Sequence, residues 1–193
     1  MQKVMRKIFL SLFFIILFFT AGIGNDKPGG FNTEIEVEHT PVLSQGSTGT
    51  CWSFATTSFL ESEIIRKGFS NTNLSEMFFV YYAYKNKAMN YLLYHGKNNF
   101  GQGGQAHDVM DVLEEYGMLS KKDFPGEKID GRFRHRDLVN ELNKEVVSLN
   151  KKRKNFELID IESLESILEE HIGRIPRKTK TSKGRVTPVE FRE

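Results

Sequence analysis

The sequence predicts an α+β fold dominated by helices. Two observations carry that expectation: apolar residues recur at helical spacing in five segments, and only Arg185-Val186-Thr187 has strand-like character. Charge sets a further bound. With 27 basic residues against 25 acidic ones, the composition points to neither a nucleic-acid partner nor a membrane surface.

The chain opens on a targeting pattern rather than a structural element. Lys3, Arg6 and Lys7 precede an apolar run from Ile8 to Phe19, and small residues follow at Thr20, Ala21, Gly22 and Gly24. That order is the pattern of a secretory signal peptide, assigned here to residues 1–24. The run falls short of the roughly 20 residues a membrane-spanning helix needs. The expected product is a domain over residues 25–193, secreted or periplasmic, with no stable membrane anchor after cleavage; an uncleaved anchor is the alternative.

Residues 25–42 read as an extended lead-in, followed by the loop Leu43-Ser44-Gln45-Gly46-Ser47-Thr48-Gly49-Thr50. A helix is expected from Cys51 to about Lys67, with Trp52, Ala55 and Phe59 on its inner face and Gly68 as its stop. A second begins at Ser75, whose hydroxyl suits an N-cap, and carries Phe78, Phe79, Tyr81, Tyr82 and Tyr84. The glycine-rich loop Gly101-Gln102-Gly103-Gly104 leads into a third, with Ala106, Val109, Met110, Leu113 and Tyr116 on one face and Gly117 at its end. Leu138, Leu142, Val146 and Leu149 mark a fourth, and Leu164, Ile167, Leu168 and Ile172 a fifth. Lys151-Lys152-Arg153-Lys154 reads as a solvated helix end. Beyond Pro176 the pattern dissolves, and clear strand pairs are missing.

The chemistry concentrates around the single cysteine, Cys51. A thiol attacks a carbonyl as the thiolate, and the head of a helix favours negative charge. The first helical turn also leaves backbone N–H groups without internal acceptors. Gln45, six residues earlier, offers a side-chain amide able to fold back toward the same place. Two donors converging beside a nucleophile make an oxyanion hole for a tetrahedral intermediate. Such chemistry calls for no cofactor and no metal.

Gln45-Gly46-Ser47-Thr48-Gly49-Thr50-Cys51-Trp52-Ser53-Phe54 resembles the active-site segment of papain-like cysteine peptidases. Leu74-Ser75-Glu76, Gly103-Gly104, Tyr116-Gly117-Met118 and Asp123-Phe124-Pro125 resemble further family segments and occur in the family's order. The resemblance implies a papain-like fold represented mainly by its helical N-terminal subdomain, with the strand-rich second subdomain largely missing. It implies Cys51 as nucleophile, Gln45 in the oxyanion hole, and Gly103, Gly104 and Trp52 as substrate-binding residues, acting on peptide or protein substrates. Thr48 stands where many secreted members carry a cysteine. That departure, with Gly104-Gln105 and the helical stretch after Pro125, is similar to the bleomycin hydrolase and aminopeptidase C branch, and aminopeptidase activity follows as an expectation.

A base is also required. The family's histidine and asparagine are expected roughly 130–150 residues after the cysteine, a window opening near Thr181 that holds no histidine. The truncated reading follows: an N-terminal part that stops before its base, leaving one groove wall uncovered. His39 and His95 read as exposed residues and His171 as a core histidine. His135 lies among Arg132, Arg134 and Arg136, where neighbouring charge would disfavour its protonation and no cleft is implied. His107 is the nearest substitute base. The competing reading is a catalytically inactive secreted module that kept a peptide-binding groove.

Overall fold

The computed structural model describes residues 34–69, 72–152, 161–181 and 184–193. The expected signal peptide lies outside them. Val37–Glu193 form one unit. Its elements in order are α1 (Cys51–Arg66), α2 (Glu76–Leu93), α3 (Ala106–Tyr116), α4 (Arg136–Lys152), α5 (Glu162–Ile172), β1 (Thr179–Thr181), β2 (Gly184–Val186) and α6 (Pro188–Arg192). No helix among the described residues is long and apolar enough to cross a membrane.

α2 is the central helix, touching α1, α3, α4 and α5. Its sequence explains the position, because a helix apolar on most sides has to be covered on most sides. Met77, Phe78, Phe79, Val80, Tyr81, Ala83, Tyr84, Ala88 and Leu92 are all buried. Its start is fixed twice by Ser75: the hydroxyl accepts from the Phe78 N–H (3.1 Å) and donates to the Phe124 carbonyl (2.5 Å). α4 buries Leu138, Leu142 and Val146 and α5 buries Leu164, Leu168 and Ile172, while Leu149 and Ile167, expected beside them, are half-buried. Against α3, Tyr82 and Tyr116 stack with centroids 3.9 Å apart.

α1 buries a different face from the expected one. Phe59 is 62% exposed and Ala55 is also exposed, whereas Ser53, Thr56, Thr57 and Glu61 are inside beside Trp52. The reason is hydrogen bonding. Ser53 Oγ donates to the Glu76 carbonyl (2.8 Å), and Glu61 accepts from the Leu74 N–H (2.7 Å) and from the Thr40 hydroxyl. One buried carboxylate thus holds the lead-in, α1 and the approach to α2. Burial raises the Glu61 carboxyl above its ordinary range, and the two donors act in the opposite direction. In α3, Ala106 and Met110 are exposed and Val112 is buried instead.

The C-terminal region holds structure that the sequence reading lacked. β1 and β2 pair antiparallel, with Thr179 opposite Val186. Thr187 caps α6 rather than extending a strand: its hydroxyl accepts from the Glu190 N–H while the Glu190 carboxylate returns to the Thr187 N–H (2.7 Å). The hairpin is tied inward by Asp123, which accepts from the Thr179 hydroxyl, the Lys180 N–H (2.9 Å) and the Ser120 hydroxyl (2.8 Å). Those donors, the Thr179 hydroxyl first, hold the Asp123 carboxyl below its ordinary range.

α6 docks on the end of α3. The Met118 N–H donates to the Pro188 carbonyl (3.0 Å), and Arg192 reaches the Glu114 carbonyl (2.5 Å). Gly117 makes the approach possible, since it sits at φ +82° and a Cβ there would overlap the Pro188 carbonyl. Gly117→Ala is expected to cost about 2 kcal/mol through backbone strain and loss of this dock. Hydrogen exchange over residues 188–192 reads it; unchanged protection in the variant would contradict the assignment.

Candidate active site

The nucleophile loop is built on glycine and on one returning strand of chain. Gly46 has φ +65°, and the Ser47 N–H donates to the Phe133 carbonyl (2.9 Å). Within the loop, the Gln45 side-chain amide donates to the Thr48 carbonyl, and the Thr48 hydroxyl donates back to the Gln45 carbonyl (2.9 Å). The loop is therefore braced before it enters α1.

Cys51 is the first residue of α1, and its thiol is free and exposed. No side-chain cap covers this helix start, and its first turn carries no acidic residue. The N-termini of α2, α3 and α6, by contrast, are all closed by side chains. The first-turn N–H groups of α1 thus face a position where negative charge is stabilised. Cys51 and Gln45 line one pocket of about 300 Å³, together with Leu43, Phe54, Ala55 and Glu61. An amide nitrogen carries two protons, so the donation to Thr48 leaves Gln45 one for a ligand oxygen.

The glycine loop docks on the residues that flank the cysteine. Gln102 takes the Gly49 N–H on its side-chain oxygen (2.7 Å) and the Trp52 indole N–H on its backbone carbonyl (2.9 Å). Trp52 is only 6% exposed; it supports the loops from beneath instead of presenting its ring to solvent. The paired glycines separate in what they do. A Cβ on Gly104 would stand 2.7 Å from the Trp52 ring, so this glycine permits close packing. Gly103 faces open space, and its carbonyl accepts from Lys87 Nζ (2.5 Å). The Lys87 ammonium also lies 5.0 Å from the Trp52 ring centroid, and burial lowers its pKa.

None of the five histidines lines the Cys51 pocket. His39 and His95 are exposed, and His107 is an exposed residue on a separate polar hollow between α2 and α3. His135 is buried, with Tyr84 Oη 3.4 Å from its Nδ1 and no partner for Nε2. Its pKa is pushed down to about 4 by burial first and by His171 second. The flanking arginines expected to act on it are not the cause. His171 is half-buried, with Nε2 3.2 Å from the Glu141 carboxylate but out of line for a hydrogen bond.

The sequence marks the Gly101–Gly104 loop but gives no sign of what Gln102 does. Nor does it mark Phe133, whose carbonyl holds the loop and whose ring packs on α1. Both make contacts between segments 50 or more positions apart, and local patterning carries no signal for them. Phe133 packs edge-on against Phe54 of α1, with centroids 6.0 Å apart.

An exposed thiol at the uncapped head of a helix packed on the core by one face, with an amide donor in the same pocket, is the arrangement of a thiol-dependent hydrolase. The profile of the papain family cysteine protease matches residues 31–172. The chain belongs to this papain family. Among solved structures, that of PepW from Lactobacillus rhamnosis HN001 (DR20) superposes with a TM-score of 0.62 at 20% identity, which shows the fold. The likeness covers 84% of this chain and 45% of that one, so the chain spans less than half the length of PepW. No curated protein matches the sequence.

Proposed function

We propose that this chain provides the nucleophile half of a cysteine peptidase acting on peptide or protein substrates. One observation carries the reading: Cys51, exposed at the head of α1, shares its pocket with Gln45. In this scheme the Cys51 sulfur attacks a peptide carbonyl. The oxyanion is met by the Cys51 N–H and the Gln45 amide, and the open edge of Gly103 aligns the substrate main chain. A papain-type mechanism needs a histidine to take the thiol proton and return it to the leaving amine, and none of the five histidines here is placed for it. Complete turnover therefore depends on a base supplied from outside these residues. Aminopeptidase specificity, after the bleomycin hydrolase and aminopeptidase C branch, and export through the signal over residues 1–24 complete the proposal.

An activated ester tests the nucleophile without needing that base for its leaving group. Mixing the chain with the p-nitrophenyl ester of a blocked amino acid is expected to release a burst of about one equivalent of nitrophenol, with the acyl group retained on Cys51. Cys51→Ser should abolish it. A wild-type chain giving no burst would contradict the proposal. The position of the histidines favours one second reading, a peptide-binding module without turnover. Peptide affinity unchanged by Cys51→Ser, in a chain that never acylates, would select it.

A further inference from the structure

The nucleophile loop and the glycine loop have no disulfide between them, since the chain contains a single cysteine. Among the described residues, the direct hydrogen bonds between them come from one residue. Gln102 makes both contacts already described, with its side-chain oxygen on the Gly49 N–H and its carbonyl on the Trp52 indole. Gly49 and Trp52 bracket Cys51 in sequence, so this bidentate contact ties the loop to both sides of the nucleophile. The fit is close, since a Cβ on Gly49 would lie 2.9 Å from the Gln102 Cβ. On the far side Gly103 follows immediately, with its open face and a carbonyl fixed by Lys87.

We propose that Gln102 is a positioning residue that sets the register of Gly103 against Cys51, so that recognition of a peptide main chain depends on an acceptor at residue 102. This rests on the peptidase reading of Cys51. The physical argument is one of order. An exposed glycine loop has many backbone states, and fixing them costs free energy that a ligand would otherwise have to supply on binding. Gln102 supplies that order beforehand through two hydrogen bonds. Lys87 and the Asp108 cap on the Gln105 N–H (2.7 Å) hold the loop only from its downstream side.

Two variants of the full chain separate the role from general stability. Gln102→Ala removes the acceptor for Gly49 while keeping the Cβ and the backbone carbonyl. Gln102→Glu restores an acceptor oxygen. In Gln102→Ala, hydrogen exchange at the Gly49 amide and at the Trp52 indole is expected to accelerate by about tenfold or more, and in Gln102→Glu to stay near the wild-type rate. The Trp52 signal is unambiguous, because the chain has one tryptophan.

The functional arm compares Cys51 alkylation by a peptidyl chloromethyl ketone with alkylation by iodoacetamide, which makes no main-chain contacts. The ratio of the two rates is expected to fall about tenfold in Gln102→Ala and to recover in Gln102→Glu. Unchanged exchange in Gln102→Ala would overturn the clasp. Faster exchange with an unchanged rate ratio would overturn the positioning role, leaving Gln102 a structural link. A wild-type ratio near one would sink the peptidase reading itself and the positioning role with it, while the exchange data still decide whether the clasp exists.

Discussion

Replacing Gly46 by alanine is expected to lower stability by about 3 kcal/mol and to remove most capture of peptidyl reagents at Cys51. Two costs combine. The residue has φ +65°, a conformation any side chain makes unfavourable. A Cβ there would also stand 2.6 Å from the Phe133 carbonyl and 2.9 Å from its nitrogen. Backbone cannot give way as a flexible side chain would, and Phe133 is itself buried and holds Ser47 through the same carbonyl. Relief therefore requires the loop bearing Gln45 to lift away. Urea denaturation of the variant, paired with peptidyl chloromethyl ketone kinetics, checks both halves. A variant within about 0.5 kcal/mol of wild type, the spread of ordinary surface changes, would contradict the account.

Acid is expected to destabilise the fold through His135. In the folded chain this group has a pKa of about 4, against an ordinary value of 6.5. A depressed value means the unfolded chain takes up a proton that the folded chain refuses. Stability is then fully present above pH 6.5 and is lost as pH falls toward 4. Between pH 7 and 5 the loss amounts to about 2 kcal/mol, since each unit of pKa difference corresponds to about 1.4 kcal/mol. Glu61 works with the opposite sign, because burial raises its carboxyl and the folded state takes its proton the more readily. Asp123 works with the same sign as His135, but only as pH falls below its ordinary value of 3.8. The comparison that isolates the histidine is His135→Phe, which keeps an aromatic ring against Tyr84. Its stability should change by about 2 kcal/mol less than wild type over that interval; parallel pH profiles would exclude His135 as the source.

The parts of this fold legible in the sequence are those in which burial follows hydrophobicity. α4 and α5 bury Leu138, Leu142, Leu164 and Leu168 as their spacing predicts, with Leu149 half-buried at the end of α4, and Ser75 caps α2 where its hydroxyl suggested. α1 escaped because its inner face is made of Ser53, Thr56, Thr57 and Glu61, whose burial is supported by partners elsewhere in the chain. A hydrophobic pattern assigns such a face to solvent. The hairpin escaped because Thr179–Thr181 and Gly184–Val186 are short and mostly polar. α6 carries a local signal of its own: Thr187 followed by Pro188, with Glu190 three residues on from the cap, spells a capping box with proline at the first helical position.

At the site, the placement of Cys51 at the head of α1 and of Gln45 in the same pocket was legible, because it follows from residue type and local spacing. The division between Gly103 and Gly104 was not, since it is decided by the Trp52 ring lying against one of them. Burial of Trp52 follows from the same packing. The indole was expected at the substrate and stands instead under the two loops, where its N–H serves Gln102.

The most direct test is a crystal structure of the chain carrying a peptide aldehyde on Cys51. The hemithioacetal oxygen is expected within about 3 Å of both the Gln45 amide and the Cys51 N–H, with the peptide running along Gly103. An adduct whose oxygen turns to solvent, with Gln45 engaged by Thr48 alone, would contradict the assignment of this pocket as the oxyanion site.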